Sequence, residues 1–425
     1  MPLRSECRVF LAHPRNMRVL ILANAVYALV IPAIELFTTA YVMRCTRDIR
    51  LVMTYQVAVY AVIPIIFGLT GWMLKTVPIR HLYALGMLLS ALAMAGLLTM
   101  PQPSLIGIVV VGTVMGCALG ILWGSRNILA LLCTDDGNRN YYFGIENVIA
   151  ALAAVVVPVM VGGFIQASGN LSGSGAGMAR DQHILHAYRL VSGAMVLLTV
   201  IAAFILYRGH FPNPPSLPEV ARRLPRLWRG VQYVNVLRGL VQGFVITAPA
   251  MLVMKLMGGE EGTLGLLQSI GGVVAAMVLY GISRLAGPNH RVAIFVVGLA
   301  AFALGSLFNM ILFNAAGVSL FMVCMLLGRP LIEVGGNPIM NRIIDILAQN
   351  TGLSPFAFFL NAEWCYFVGR LLGGTIFILV ATGVSEDAAL RYTLAGVAGL
   401  QMMAALVLPK ALARCQALQA DQETA

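Results

Sequence analysis

Arg208-Gly-His-Phe-Pro212-Asn-Pro-Pro-Ser-Leu-Pro-Glu-Val-Ala-Arg222-Arg223-Leu-Pro-Arg226-Leu-Trp228-Arg229 is the longest polar stretch in an otherwise apolar chain. Its prolines forbid one long helix. Working outward from it, a helix that crosses a bilayer needs about 20 mostly apolar residues. Six such runs precede the stretch: 17–43, 51–74, 81–100, 104–132, 141–166 and 186–207. Six follow it: 230–256, 262–284, 291–313, 316–344, 356–382 and 388–409. The stretch at 208–229 therefore reads as a linker between an N-terminal six-helix bundle (1–207) and a C-terminal one (230–425). Its basic part, with Leu224, Leu227 and Trp228, is a solvated positive-inside linker or a segment lying on an anionic leaflet.

Composition excludes most other classes. Of 425 residues 59% are hydrophobic and 11% charged, against roughly 25% charged in soluble domains. Too few polar residues remain to cover a water-facing surface. The runs are too long and continuous for barrel strands, so the expected class is an all-α polytopic membrane protein with twelve transmembrane helices in two six-helix repeats. The net charge of +11 is then a topology signal rather than a nucleic-acid footprint. With the N-terminus in the cytoplasm, 17 of the 28 Lys and Arg fall inside, 7 outside and 4 within spans. The basic cluster Arg44, Arg47 and Arg50 is a local exception on the outer side. Seven scattered Cys and six His form no CxxC or HExxH pattern, so no metal or cofactor is expected. The loop at 167–185, with Ser-Gly-Ser-Gly-Ala-Gly at 172–177, reads as a flexible external hairpin.

The halves echo each other at an offset of 217 residues. Tyr27-Ala-Leu-Val-Ile-Pro32-Ala33 matches Phe244-Val-Ile-Thr-Ala-Pro249-Ala250, and Tyr142-Phe-Gly-Ile-Glu146 matches Phe359-Leu-Asn-Ala-Glu363. Parallel repeats of this kind suit alternating access around a midplane site.

Twelve spans, a central basic loop and twofold repetition resemble the major facilitator superfamily of secondary transporters. That family's loop between spans two and three reads G-x-x-x-D-R-x-G-R-R. Gly71-Trp-Met-Leu-Lys75-Thr-Val-Pro-Ile-Arg80-His81 keeps the glycine and bases without the acid, as does Gly281-Ile-Ser-Arg284-Leu-Ala-Gly287-Pro-Asn-His-Arg291. Arg126 fits the family's span-four arginine. Pro158-Val-Met-Val-Gly162-Gly163 departs by one residue from the antiporter G-P-x-x-G-G. The sugar-porter Pro-Glu-Ser-Pro-Arg is missing, so the subfamily is left open. The resemblance implies a carrier of a small solute in a bacterial inner membrane, expected to act as a monomer; the Lys and Arg bias puts both termini in the cytoplasm, and the carboxylates inside spans point to protons as the coupling ion.

Charges inside spans cost several kcal/mol, on the order of 2.5–3.5, and persist where paired, hydrated or useful. Four acids (Glu35, Glu146, Glu333, Glu363) face four bases (Arg126, Arg238, Arg329, Arg370). Arg329, Glu333, Asn337 and Asn341 recur every four residues, so they form one stripe on the tenth span, expected to face the bundle interior. Gly335-Gly336-Asn337-Pro338 is expected to weaken the helix there. Such a stripe is a substrate site or a structural ion pair. Glu363 and Arg370, two turns apart, share a face, with Asn361 nearby. Arg126 and Glu146 are expected to form a cytoplasmic gate pair. Glu35, with no base three or four residues away, is the candidate proton-coupling acid, on the expectation that it is desolvated; pairing with Arg44 or Arg47 is the alternative. Arg238 and Gln242, four apart, are suited to an anionic group on the substrate. Gly112, Gly116 and Gly120 are assigned to helix packing.

The expected function is proton-coupled movement of a small polar or amphiphilic solute. Arg126 and the Pro158–Gly163 segment lean towards export. The balanced charges suit uptake of a zwitterion such as an amino acid or peptide. A membrane-embedded lipid-handling protein is the rival class. No phosphate-binding G-x-x-x-x-G-K-[ST] occurs, which excludes ATP hydrolysis by that motif in this chain.

Overall fold

The structure, a computed structural model, describes residues 10–100, 102–134, 138–170, 177–213, 224–285, 290–353 and 355–423. Among these, twelve helices are long and apolar enough to cross a membrane. They are α1 (Arg15–Thr46), α2 (Ile49–Met73), α3 (Ile79–Leu98), α4 (Leu105–Ala130), α5 (Gly144–Asn170) and α6 (Arg180–Tyr207), then α7 (Arg226–Leu256), α8 (Glu261–Val278), α9 (Arg291–Leu312), α10 (Ala315–Thr351), α11 (Ala357–Gly383) and α12 (Glu386–Ala420). The chain is a multi-pass, all-α membrane protein. In lipid each backbone polar group must be satisfied inside its own helix, which is why apolar run length translates directly into helices.

Two compact units divide the chain. Unit 1 comprises Met1–Leu51, Ala58–Leu217 and Glu260–Leu266; unit 2 comprises Val52–Val57, Pro218–Gly259 and Leu267–Ala425.

Proline places the main irregularities. α1 is interrupted at Leu29 and Val30, where Val30 N–H turns back to Tyr27 O at 2.9 Å. Pro32 then opens the second segment, Ile31–Thr46. α7 is interrupted at Ile246 and Thr247 in the same way, with Thr247 N–H on Phe244 O at 3.1 Å and Pro249 opening Ala248–Leu256. Both breaks sit where proline lacks an N–H and its ring clashes with the carbonyl four residues back, and they lie 217 residues apart. α10 behaves otherwise. It is one helix from Ala315 to Thr351 through both Pro330 and Pro338, so the weakening expected at Gly335–Pro338 does not interrupt it. Close packing offsets the lost bond: a Cβ on Gly335 would lie 2.6 Å from Phe295 N, so α9 supports α10 backbone to backbone.

Two loop expectations are corrected. Residues 167–170 belong to the helix ending at Asn170 and 177–185 to the next one, rather than to a flexible hairpin; residues 171–176 lie outside the described residues. The start of the linker is pinned: Asn213 Oδ1 accepts from Ile79 N–H at 2.8 Å, and its Nδ2 donates to Leu74 O at 3.0 Å. This closes the turn of the degenerate Gly71–His81 motif with a linker side chain. Residues 214–223, including Arg222 and Arg223, lie outside the described residues, as do 286–289 of the related loop. The linker's end is no leaflet-bound segment. Trp228 is fully buried against Phe358, and its Nε1–H donates to Asn361 Oδ1 at 2.9 Å. Leu224 and Leu227 pack on the same core. An indole buried with its donor satisfied is more stable there than at an interface.

The basic exception at 44–50 has a local cause. Arg44 is paired with Glu261 and, at 3.4 Å, with Asp181. Arg50 is paired with Asp48 at 2.9 Å, and Asp48 caps the helix starting at Ile49 by accepting from Arg50 N–H at 2.8 Å. Partial burial alone would raise the Asp48 carboxyl, but the hydrogen bonds from Arg50 outweigh it and hold the carboxyl below its ordinary value. A depressed carboxyl stabilises the fold fully above its unfolded pKa and loses that contribution as pH falls through the folded value. Asp48→Ala is therefore expected to cost about 1 kcal/mol at neutral pH. Thermal midpoints of the two proteins should converge as pH drops below about 4.

Candidate functional site

Unit 1 carries a buried polar knot where α1, α3, α4 and α5 meet. Glu146 is 6% exposed. Its Oε2 accepts from Arg126 Nη2 at 2.9 Å. Its Oε1 accepts from Tyr142 Oη at 2.7 Å and from Asn24 Nδ2. Tyr83 Oη donates to Asn24 Oδ1 at 2.6 Å, and the Arg126 guanidinium lies 5.0 Å from the Trp123 ring centre. Each of these five side chains makes at least one hydrogen bond within the knot, which helps a buried ion pair to be tolerated. Asn24 and Tyr83 carry no motif, and Tyr142 stands out in the sequence only as part of the internal repeat. Their signal was a polar atom on an apolar face, which most buried tyrosines share.

A second cluster in unit 1 gathers around Glu261, the first residue of α8, which is 1% exposed. It pairs with Arg44 and accepts from Tyr188 Oη at 3.0 Å. Neighbouring Glu260 accepts from Gln166 Nε2 at 3.0 Å. The backbones meet here too. A Cβ on Gly162 would overlap Glu261 O, and one on Gly265 would overlap Pro158 O. The Pro158–Gly163 segment thus serves the packing of α5 on the start of α8.

Unit 2 holds the cleft. It is a shallow cleft of about 430 Å³ of empty space, open solvent included, lined by Arg238, Val241, Gln242 and Val245 of α7, Phe302 of α9, Met325, Arg329, Ile332 and Glu333 of α10, and Gln401 of α12. Arg238 is buried and donates to Asn337 Oδ1 at 3.0 Å. Gln242 Oε1 accepts two bonds from Arg370, at 3.0 and 2.8 Å. Arg370 also reaches Glu363 at 3.7 Å. Tyr366 lies between the two arginines, its ring centre 5.6 Å from the Arg238 guanidinium and 5.5 Å from that of Arg370. The structure therefore brings Arg238, Gln242, Asn337, Glu363 and Arg370 into one chain of contacts.

Other expected residues are placed differently. Arg329 and Glu333 pair at 3.6 Å, but their side chains are 52% and 48% exposed. Arg329 and Glu333 line the cleft with residues of α7, α9 and α12, whereas Asn341, though exposed, is not among its lining residues. Glu35 is exposed at the surface of the protein, and Arg44, its suggested partner, is engaged by Glu261 and Asp181. Asn361 accepts from Trp228 and, at 2.9 Å, from Gln232, so it braces the start of α7. Among the described residues no three His, Cys, Asp or Glu side chains gather into a metal-binding group.

The cleft is positioned by a close helix crossing that the sequence reading passed over. A Cβ on Gly239 would overlap Tyr366 O, and one on Gly369 would overlap Val236 O. On Gly243 it would lie 2.7 Å from Arg370 O, and on Gly373 it would overlap Leu240 O. Two glycine pairs with four-residue spacing thus face each other across α7 and α11, the small-residue pattern of tight membrane helix packing.

Comparison with solved structures places this architecture. A POT family transporter in complex with a thioalcohol conjugated peptide superposes with a TM-score of 0.68, covering 94% of this chain and 97% of that one at 12% identity. The nucleoside transporter NupG gives 0.62, covering 92% and 99% at 12% identity. The fucose:proton symporter FucP of E. coli gives 0.56, covering 92% and 98% at 14% identity. The chain shares its fold with these transporters. No family model matches the chain. In sequence, it is 22% identical over 393 residues to the uncharacterized protein YqgE of Bacillus subtilis strain 168, covering 90% of this chain and 86% of that one. It is 24% identical over 148 residues to an uncharacterized protein in the sodM 3′ region of Geobacillus stearothermophilus, covering 35% and 69%.

Proposed function

We propose that this protein is a secondary active transporter that takes up a small zwitterionic solute by alternating access, coupled to protons. The observation that carries this reading is the unit 2 cleft, which offers Arg238 and Arg329 beside Glu333 within a transporter fold. Cations and an acid on one wall suit a solute bearing both charges, because each end finds a partner as it leaves water. Solved structures of the same fold support the solute class: two hold a conjugated peptide or 5-aminolevulinic acid, and others are described as a nucleoside transporter and a fucose:proton symporter. The two features that lean towards export are engaged otherwise, Arg126 by Glu146 and Gly162 by the backbone of α8. Arg126–Glu146 acts as a cytoplasmic gate, and the exposed acids Glu35 and Glu333 exchange the coupling proton. The protein works as a monomer in a bacterial inner membrane with both termini inside.

Proteoliposomes loaded with a pH dye test this. Adding pooled amino acids and short peptides to the wild type should acidify the lumen, with uptake of labelled solute in parallel. Glu333→Gln should abolish solute uptake, and Glu35→Gln should uncouple it from the proton signal. Uptake that is unchanged in Glu333→Gln would overturn the assignment of the cleft. Solute exchange with no pH change in any protein would overturn proton coupling.

A further inference from the structure

One polar group in the cleft has no protein partner. Gln401 ends the helical segment Leu394–Gln401 of α12 and is 3% exposed. Its Oε1 is buried without a hydrogen-bond partner, and the residue lines the cleft beside Arg238 and Glu333. Immediately beyond it the helix is interrupted, with Met403 N–H turned back to Leu400 O at 3.1 Å. Asn235, 1% exposed, has neither side-chain oxygen nor nitrogen partnered. It stands three residues before Arg238 and seven before Gln242, on the same face of α7. Native interiors rarely keep an amide oxygen without a donor, and one that lines a polar cleft is placed to accept from what enters it. The rest of the wall near Gln401 is apolar: Val241, Val245, Phe302, Met325 and Ile332.

We propose that Gln401 is a substrate-specificity residue that accepts a hydrogen bond from the amino group of the solute. Glu333 balances the ammonium charge, Arg238 holds the carboxylate, and the apolar wall takes an uncharged side group. The ligand class is thus an α-amino acid or short peptide with an aliphatic or aromatic side chain. This rests on the transporter reading for its cleft but adds which end of the solute is read and by which residue. A site built to accept from an N–H rejects an analogue without one far more strongly than a purely apolar pocket would.

The test is equilibrium binding to the full chain in nanodiscs, with leucine, phenylalanine and leucyl-leucine as probes. 4-Methylpentanoate, which is leucine without its amine, is the comparison. Wild type is expected to prefer leucine by at least about tenfold. Gln401→Leu should erase that preference while leaving 4-methylpentanoate binding in place, and Gln401→Glu, which keeps the acceptor, should restore it. Retained 4-methylpentanoate binding by Gln401→Leu reports that its cleft is folded. Equal binding of leucine and 4-methylpentanoate by wild type, or an undiminished preference in Gln401→Leu, overturns the proposal. If none of the three probes binds while another solute from a metabolite pool is carried into proteoliposomes, the proposal falls and the transporter reading stands. If leucine binds with the expected preference but no solute is carried, the amine site stands and the transporter reading falls.

Discussion

Arg126→Leu is expected to destabilise the protein by about 3 kcal/mol, because it leaves the Glu146 carboxylate buried without its cation. The range for breaking a buried pair is about 3–5 kcal/mol. The lower end applies because Tyr142 and Asn24 still donate to the carboxylate, and because the Arg126 side chain is 31% exposed. Arg126→Leu with Glu146→Leu should recover most of that loss, since removing both charges also removes their desolvation cost. Thermal unfolding of purified protein in detergent checks this. A double variant no more stable than Arg126→Leu alone would mean that the knot's hydrogen bonds, not the ion pair, set the cost. The same proteins separate structure from gating. A folded double variant with normal uptake would sink the gate role of the pair, whereas a folded one that binds solute without moving it would support that role.

Gly369→Ala should be the most damaging single-methyl change in unit 2. The added carbon would overlap Val236 O and lie 2.7 Å from Leu240 N, so it meets backbone on the opposing helix rather than a movable side chain. α7 and α11 would have to separate. Overpacking of this kind costs about 1–3 kcal/mol and occasionally more, and Gly369→Leu is expected to yield no folded protein. The separation also pulls Arg238 from Tyr366 and Arg370 from Gln242, since those contacts bridge the same two helices. Solute affinity should therefore fall in whatever Gly369→Ala protein folds. Gly396 and Gly399 are the controls. Nothing lies within 4 Å of a Cβ at either position on α12, so alanine there should be neutral or stabilising by about 0.5–1 kcal/mol. Expression level, thermal midpoint and solute affinity across the four single-alanine and leucine variants decide the matter. Equal losses at Gly369 and Gly399 would show that helix crossing is not what Gly369 serves.

These two cases differ in how far the sequence discloses them. Arg126 and Glu146 were visible as an opposite pair of charges at membrane depth, and their cost in lipid made a partner necessary. Asn24, Tyr83 and Tyr142 were not visible as partners of that pair, because a single polar residue on an apolar helix carries no sign of what it will face. The glycines at 239, 243, 369 and 373 have a recognisable spacing on each helix, yet nothing in either helix names the other as its neighbour. Glu35 and the Arg329–Glu333 pair were legible as charges at membrane depth, but the sequence does not say how much of each side chain the neighbouring helices cover. Trp228 was misplaced for a similar reason: beside four arginines it resembles an interfacial anchor until Asn361 is brought within 2.9 Å of its indole nitrogen.

The all-α class and the twelve helices were legible in the chain, because a bilayer demands internally bonded helices about 20 residues long. Proline was not a sufficient guide to the breaks: α1 and α7 are interrupted before Pro32 and Pro249, while α10 runs on through Pro330 and Pro338. Which face of each helix is buried, that Arg44 is met by Glu261, and that Gln401 lines the same cleft as Arg238 and Glu333 came from tertiary packing. Those facts depend on helices far apart in sequence meeting at one depth and one rotation. Lipid-facing and helix-facing surfaces are equally apolar, so hydrophobic patterning, which orients the helices of soluble proteins, leaves that rotation unspecified here.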